Sequence, residues 1–159
     1  MADIVPGPVS GLDCKLYYNT GTNASPTWVE ITQAIDVAVP DFGVNQIAAN
    51  SRGSKYESFV NGLIKLGMTF GYLHVRGTDT VRDALAGMVT GRTAKQFAAM
   101  DGDITHVGAR GVKAYFNMEK FGQTQGFEGA TVWDASLKPA HFIESSAKVE
   151  PAIYVVAGT

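Results

Sequence analysis

The chain has 159 residues, 45% of them hydrophobic and 18% charged, with a formal net charge of -2. That length favours one domain with a real core. The near-neutral charge argues against an autonomous nucleic-acid binder, which carries a basic patch or a strongly basic total. A single cysteine, Cys14, leaves no internal disulfide and no metal-site spacing; it is expected to be a small buried residue beside the first strand.

In chain order, residues 1–12 hold Pro6, Gly7, Pro8 and Gly11 and read as an extended N-terminal arm, leaving 13–159 as a single β domain. The segment MADIVPGPVSG has no basic stretch followed by an apolar one, so no signal peptide is expected, and no apolar run approaches the length of a membrane span. Asp13–Tyr18 reads as a short strand, and Asn19–Thr27 as turn chemistry throughout. Trp28–Ile31 and Ala34–Val39 are strand-like, the second alternating Ile35, Val37, Val39 with Asp36 and Ala38. Pro40–Tyr56 is polar and glycine-containing and reads as a long loop, a feature that in compact domains is functional or disordered.

Leu63–Val75, LIKLGMTFGYLHV, carries the strongest pattern. Alternate residues divide into a greasy face (Ile64, Leu66, Met68, Phe70, Tyr72, His74) and a face of mostly small or polar groups (Leu63, Lys65, Gly67, Thr69, Gly71, Leu73). As one strand it would span roughly 40 Å, beyond the usual length. Thr78–Gly91 is the one clear helix. Its stripe of Val81, Ala84, Leu85, Met88 and Val89 is expected to pack on the core, with Asp79 or Thr80 as the N-cap, Asp83 placed for a capping box, and Gly91 in the left-handed C-terminal position. Ala94–Met100 reads as a strand, and Asp101-Gly102-Asp103 as a turn. Val112–Gly122 and Phe127–Lys138 are two more long strands, joined by a four-residue hairpin connection ending in Gly126. Val112, Ala114, Phe116 and Met118 should face the core from the first, and Phe127, Thr131, Trp133, Ala135 and Leu137 from the second. The opposite faces carry Lys113, Asn117 and Glu119, and Glu128, Asp134 and Ser136. Ile153–Val156 gives a last short strand.

Catalytic equipment is not evident. His74, His106 and His141 have no ligand spacing, and Asp101-Gly102-Asp103 lacks the further acidic positions of a calcium loop. The chain has no nucleophile elbow, phosphate loop or dinucleotide fingerprint. Gly108–Gly111 is glycine-rich but does not open a helix. The strand aromatics Tyr72, Tyr115, Phe116, Phe121, Phe127 and Trp133 lack the interleaved cations of a base-stacking platform, so packing is the expected use. No enzyme activity, metal or cofactor is expected.

The order of elements is a Trp28-led strand, a polar segment, a long alternating strand, an Asp-started amphipathic helix and two long strands joined by a hairpin. It resembles the major tail tube proteins of long-tailed bacteriophages, most closely over Ser51–Asp101 and again through Val112–Pro139. That family is related to the tubes of type VI secretion and contractile injection systems. The resemblance implies a mainly β fold, a barrel or sandwich of long antiparallel strands with one packed helix. It implies six copies closing into rings that stack as a hollow tube, with long strands joining across subunits and DNA passing through the lumen. It also implies partners: further copies of the chain, the tape measure, terminator and baseplate or tip proteins, and transient non-specific passage of phage DNA. The expected location is the virion tail, assembled in the host bacterial cytoplasm. Alternatives are another tail component of related fold, such as a terminator or an injection-system tube, and a monomeric β-sandwich binding module.

Under the tube reading, Lys65, Gly67, Thr69, Gly71, Asn117, Glu119 and Glu128 would line the lumen, where mixed charge lets DNA slide without tight phosphate contacts. A charge placed at Gly67 or Gly71 should then spare folding. Phe42, Asn45, Arg52, Lys55 and Tyr56 would bridge stacked rings.

Overall fold

The structure, a computed structural model, describes residues 7–40, 42–53 and 55–157. The first half of the expected arm lies outside the described residues; residues 7–12 are exposed. The elements are β1 (Lys15–Asn19), β2 (Trp28–Glu30), β3 (Ala34–Ala38), β4 (Gly43–Ala48), β5 (Phe59–Lys65), β6 (Met68–Leu73), α1 (Thr80–Thr90), β7 (Lys95–Met100), β8 (Arg110–Thr124), β9 (Val132–Pro139), β10 (Ile143–Glu144), β11 (Ala147–Lys148) and β12 (Ala152–Val155). Among the described residues the fold is mainly β with one helix, and the strand pairs are antiparallel.

One hydrogen-bonded path runs β2-β1-β7-β8-β9-β6-β3, with β12 added on β8. Its two end strands, β2 and β3, are separated in the chain only by residues 31–33. Three residues reach about 10 Å at most, so the path must curl back on itself. A turn and a strand make the corners. The chain turns at Ile31–Ala34, where Ala34 N–H donates to Ile31 C=O at 3.2 Å. The 15-residue β8 serves both halves: residues 111–116 pair with β7, and residues 116–124 pair with β9. A bulge between Met118 and Lys120 bends it after the change of partner, as expected for a strand that switches layers.

The two layers enclose one main core. Leu16, Tyr18 and Phe97 come from one layer, Met68, Phe70, Tyr72 and Leu137 from the other, and Leu85 and Met88 from α1. Phe97 lies 6.5 Å from Phe70 and 6.1 Å, edge-on, from Phe116, the offset geometry aromatic rings prefer. The helix begins at Asp79, whose carboxylate accepts the Arg82 N–H and the buried Tyr72 hydroxyl, at 2.7–2.8 Å for the latter. Burial first, and then the Asp79 carboxylate, push the Tyr72 phenol well above its ordinary pKa.

Several expectations are corrected. Leu63–Val75 is two strands: the chain breaks at Leu66–Gly67, both buried, and β5 and β6 belong to different sheets. The neighbouring strand breaks opposite, between β3 and β4, where Pro40 has no amide hydrogen to give a ladder. Pro40–Tyr56 is therefore not a plain loop, because Gly43–Ala48 pairs with β5 from Gly43↔Lys65 to Ala48↔Phe59. The last long strand starts at Val132 rather than Phe127, leaving 125–131 as its connection, with Phe127 fully exposed and not in the core. Gly91 is right-handed (φ -85°), and the left-handed turn falls one residue later at Arg92 (φ 50°). Cys14 is exposed, since it precedes the first ladder pair at Lys15 and so escapes the alternation that buries Leu16. Val89 and Ile64 also stand out to solvent at the ends of their apolar stripes.

Candidate assembly surfaces

The layer β3-β6-β9-β8 has an inner face on the core and an open outer face that is largely polar, with Ile35, Leu73 and Val132 forming an apolar patch toward one end. Register places its outward residues in rows: Thr69 opposite Ser136 and Gly71 opposite Asp134, with Lys120 and Gly122 on the far side of β9 and Asn117 opposite Lys138. Glu119 sits in the β8 bulge, where its carboxylate accepts the Ser136 hydroxyl at 3.0 Å and lies 3.9 Å from Lys138 Nζ. The strands thus gather four of the residues singled out from sequence, Thr69, Gly71, Asn117 and Glu119, onto one surface.

The other three lie elsewhere. Lys65 is on the β4–β5 hairpin, Glu128 is in the 125–131 connection, and Gly67 is buried at the strand break. Gly71 is not free space for a side chain either. A Cβ there would stand 2.8 Å from Ile35 Cγ1 and 3.2 Å from Val132 Cγ1, so a charged replacement crowds the neighbouring strands. Sequence alternation missed Lys120, because the bulge shifts which residues point outward beyond Met118; the three-residue spacing of the apolar Met118 and Phe121, odd for strict alternation, was the available signal.

Both edges of this layer are open among the described residues. β3 pairs only with β6, and β8 beyond Phe116 pairs only with β9. Unpaired backbone along an edge is a template for another strand.

The β4–β5 hairpin leaves the body as a separate two-stranded sheet, and every residue of β4 is exposed. Its ladder puts Val44 beside Ile64 and Ile47 beside Val60, and because β4 has one residue between Val44 and Gln46 where β5 has two, these exposed apolar pairs fall on opposite faces of the ribbon. An isolated two-stranded ribbon is marginally stable in water, and clustered exposed apolar groups mark contact surfaces. Of the residues assigned from sequence to ring bridging, Phe42 precedes β4 and Asn45 lies opposite the bulge in β5, while Arg52, Lys55 and Tyr56 belong to the tip. Ser58 closes that tip through its N–H to Asn50 Oδ1 (3.0 Å) and its hydroxyl to Ala49 C=O (2.6 Å).

Elsewhere, polar groups serve structure. Asp101 accepts the Arg110 N–H at 2.7 Å, and Asp103 accepts the Thr105 N–H and hydroxyl. Those two bonds, with Lys15 beside them, hold the Asp103 carboxyl down to about 2. Lys15 bridges Glu30 (3.1 Å) and Asp103 (3.5 Å). Lys113 lies 4.6 Å over the Tyr154 ring, and burial lowers its pKa. Among the described residues no group of three or more His, Cys, Asp or Glu could hold a metal, and no helix is long and apolar enough to cross a membrane.

A two-layer antiparallel β body with a single packed helix and a projecting hairpin is the tail-tube fold of phage-like particles. Solved structures share it. A chain from the tail of an empty gene transfer agent particle, obtained with helical refinement and C6 symmetry, matches with TM-score 0.66 at 14% identity, covering 93% of this chain and 98% of that one. A chain of the SPP1 tail tube matches with TM-score 0.68 at 13% identity, covering 95% and 81%. A chain of the six-fold symmetrised anti-feeding prophage baseplate matches with TM-score 0.57 at 7% identity, covering 96% and 99%. No protein-family model and no curated protein matches the chain.

Proposed function

We propose that the chain is a structural subunit of a virion tail tube: copies close into hexameric rings, rings stack, and the lumen conducts DNA during ejection. The observation that carries this is the layer β3-β6-β9-β8, with its largely polar outer face and two open edges. Edge-to-edge pairing between copies is a heterologous contact, and heterologous contacts that close make rings. The C6 symmetry of the gene transfer agent tail supports six.

Thr69, Gly71, Asn117 and Glu119, with Lys120, Asp134, Ser136 and Lys138, then form the channel wall. On it, Glu119 and Asp134 balance Lys120 and Lys138, so a sliding polyanion meets no net phosphate grip. Lys65 continues this surface onto the hairpin, and residues 42–56 reach toward the next ring. The mechanism is assembly and passive conduction.

Size-exclusion chromatography with negative-stain microscopy over rising concentration tests it. Rings and tubes are expected. A monomer persisting to millimolar concentration refutes the reading and favours a self-contained binding module.

A further inference from the structure

The two protrusions of the subunit lie at opposite ends of the same layer. The β4–β5 hairpin departs from the end marked by Ala38 and Met68. The 125–131 connection, carrying Phe127, lies at the other end, where Leu73 pairs with Val132. If the outer face of the layer looks into a channel and its edges meet neighbours in a ring, the strand ends face the rings above and below. Barrel strands tilt, but their ends still point along the axis. One end presents a receptive apolar ribbon, and the other an aromatic ring with nowhere to pack.

We propose that Phe127 of one copy seats on the Ile47–Val60 face of the β4–β5 hairpin of a copy in the adjacent ring. The proposal rests on the tail-tube reading and names its inter-ring contact.

Three observations converge on a second copy of this chain as the occupant. Phe127 is 103% exposed, more open than a reference side chain, while Ile47 and Val60 are 55% and 56% exposed. A protruding aromatic meeting an apolar face is the pattern that dominates contact energetics. The charges also match. The hairpin tip, residues 49–58, contains Arg52 and Lys55 against Glu57, whereas the 125–131 connection contains Glu128 and no cation. The rim charges thus attract between unlike ends and repel between like ends, which favours head-to-tail stacking over head-to-head. Finally, a ribbon this exposed gains stability only by being covered, and a head-to-tail stack covers every hairpin but those at one end of the tube.

The test compares wild-type protein with Phe127→Glu and Ile47→Glu, measuring the critical concentration for tubes by sedimentation and particle form by negative-stain microscopy. Each substitution should raise the critical concentration about tenfold or more and leave unstacked rings, with the thermal midpoint of the dissociated subunit unchanged. In a Cys14→Ser background, assembled tubes of Phe127→Cys/Ile47→Cys should give an oxidised ladder of linked subunits on a denaturing gel, and neither single cysteine should. Phe127→Glu tubes forming at the wild-type concentration, or tubes of the double-cysteine protein giving no ladder, would overturn this contact while leaving the tail-tube reading standing. Wild-type protein that never forms rings overturns both.

Discussion

Asp79 joins the helix to the core through two bonds, and removing it should show their coupling. In Asp79→Ala, α1 loses its N-cap acceptor for the Arg82 N–H, which costs about 1 kcal/mol. The Tyr72 hydroxyl, on a residue with no exposed surface, loses its acceptor and stays buried, which costs about 1–3 kcal/mol more. The expected total is about 2–4 kcal/mol, or roughly 4–16 °C in thermal midpoint for a domain of this size. Tyr72→Phe alone removes donor and bond together and should cost about 1 kcal/mol. The double variant has no orphaned hydroxyl, so it should be no less stable than Asp79→Ala. Urea unfolding of the dissociated subunit, at concentrations below assembly so that association does not add to stability, reads all four corners of the cycle. Additive losses, with the double variant the weakest, would refute the claim that the buried phenol depends on this carboxylate.

Gly71→Asp should destabilise the subunit by about 1–3 kcal/mol in urea, since its Cβ meets Ile35 and Val132, whereas Thr69→Asp on the same exposed face should stay within about 0.5 kcal/mol. Asp103 has a folded pKa of about 2, below the ordinary 3.8, so its contribution is fully present above about pH 4 and is lost as pH falls through 2. Asp103→Asn should therefore show a flatter decline of the urea midpoint between pH 4 and 2 than wild type; parallel declines would contradict the assignment. Cys14 should react stoichiometrically with a thiol reagent in the native subunit, and reaction only after unfolding would place it in the core.

Local periodicity made most of the body legible. Leu66, Met68, Phe70 and Tyr72 are buried in alternation as the sequence implies, and so are Ala135 and Leu137. Leu85 and Met88 anchor the helical stripe, and Asp79 caps it. What escaped was set by pairing rather than by pattern. The Leu66–Gly67 break does not interrupt the alternation, so only the change of partner reveals it. Gly43–Ala48 is a strand because β5 lies beside it, not because its six residues have strong strand character. Phe127 reads as core by composition, yet it falls in a connection that tertiary geometry leaves outside. On the outer face, Thr69, Gly71, Asn117 and Glu119 were identifiable because small or polar residues recur at every second position. Lys120 was hidden by a bulge, which shifts parity without any glycine to announce it.

β8 has a mechanical consequence. A single continuous backbone belongs to both layers, so neither can slide over the other without stretching covalent bonds or stripping one of two ladders in shear. Strain entering at one wall is handed to the opposite wall along the same 15 residues. A subunit built this way behaves as a stiff brick: in the proposed tube, a stack would bend by adjusting the joints between bricks while each brick keeps its shape.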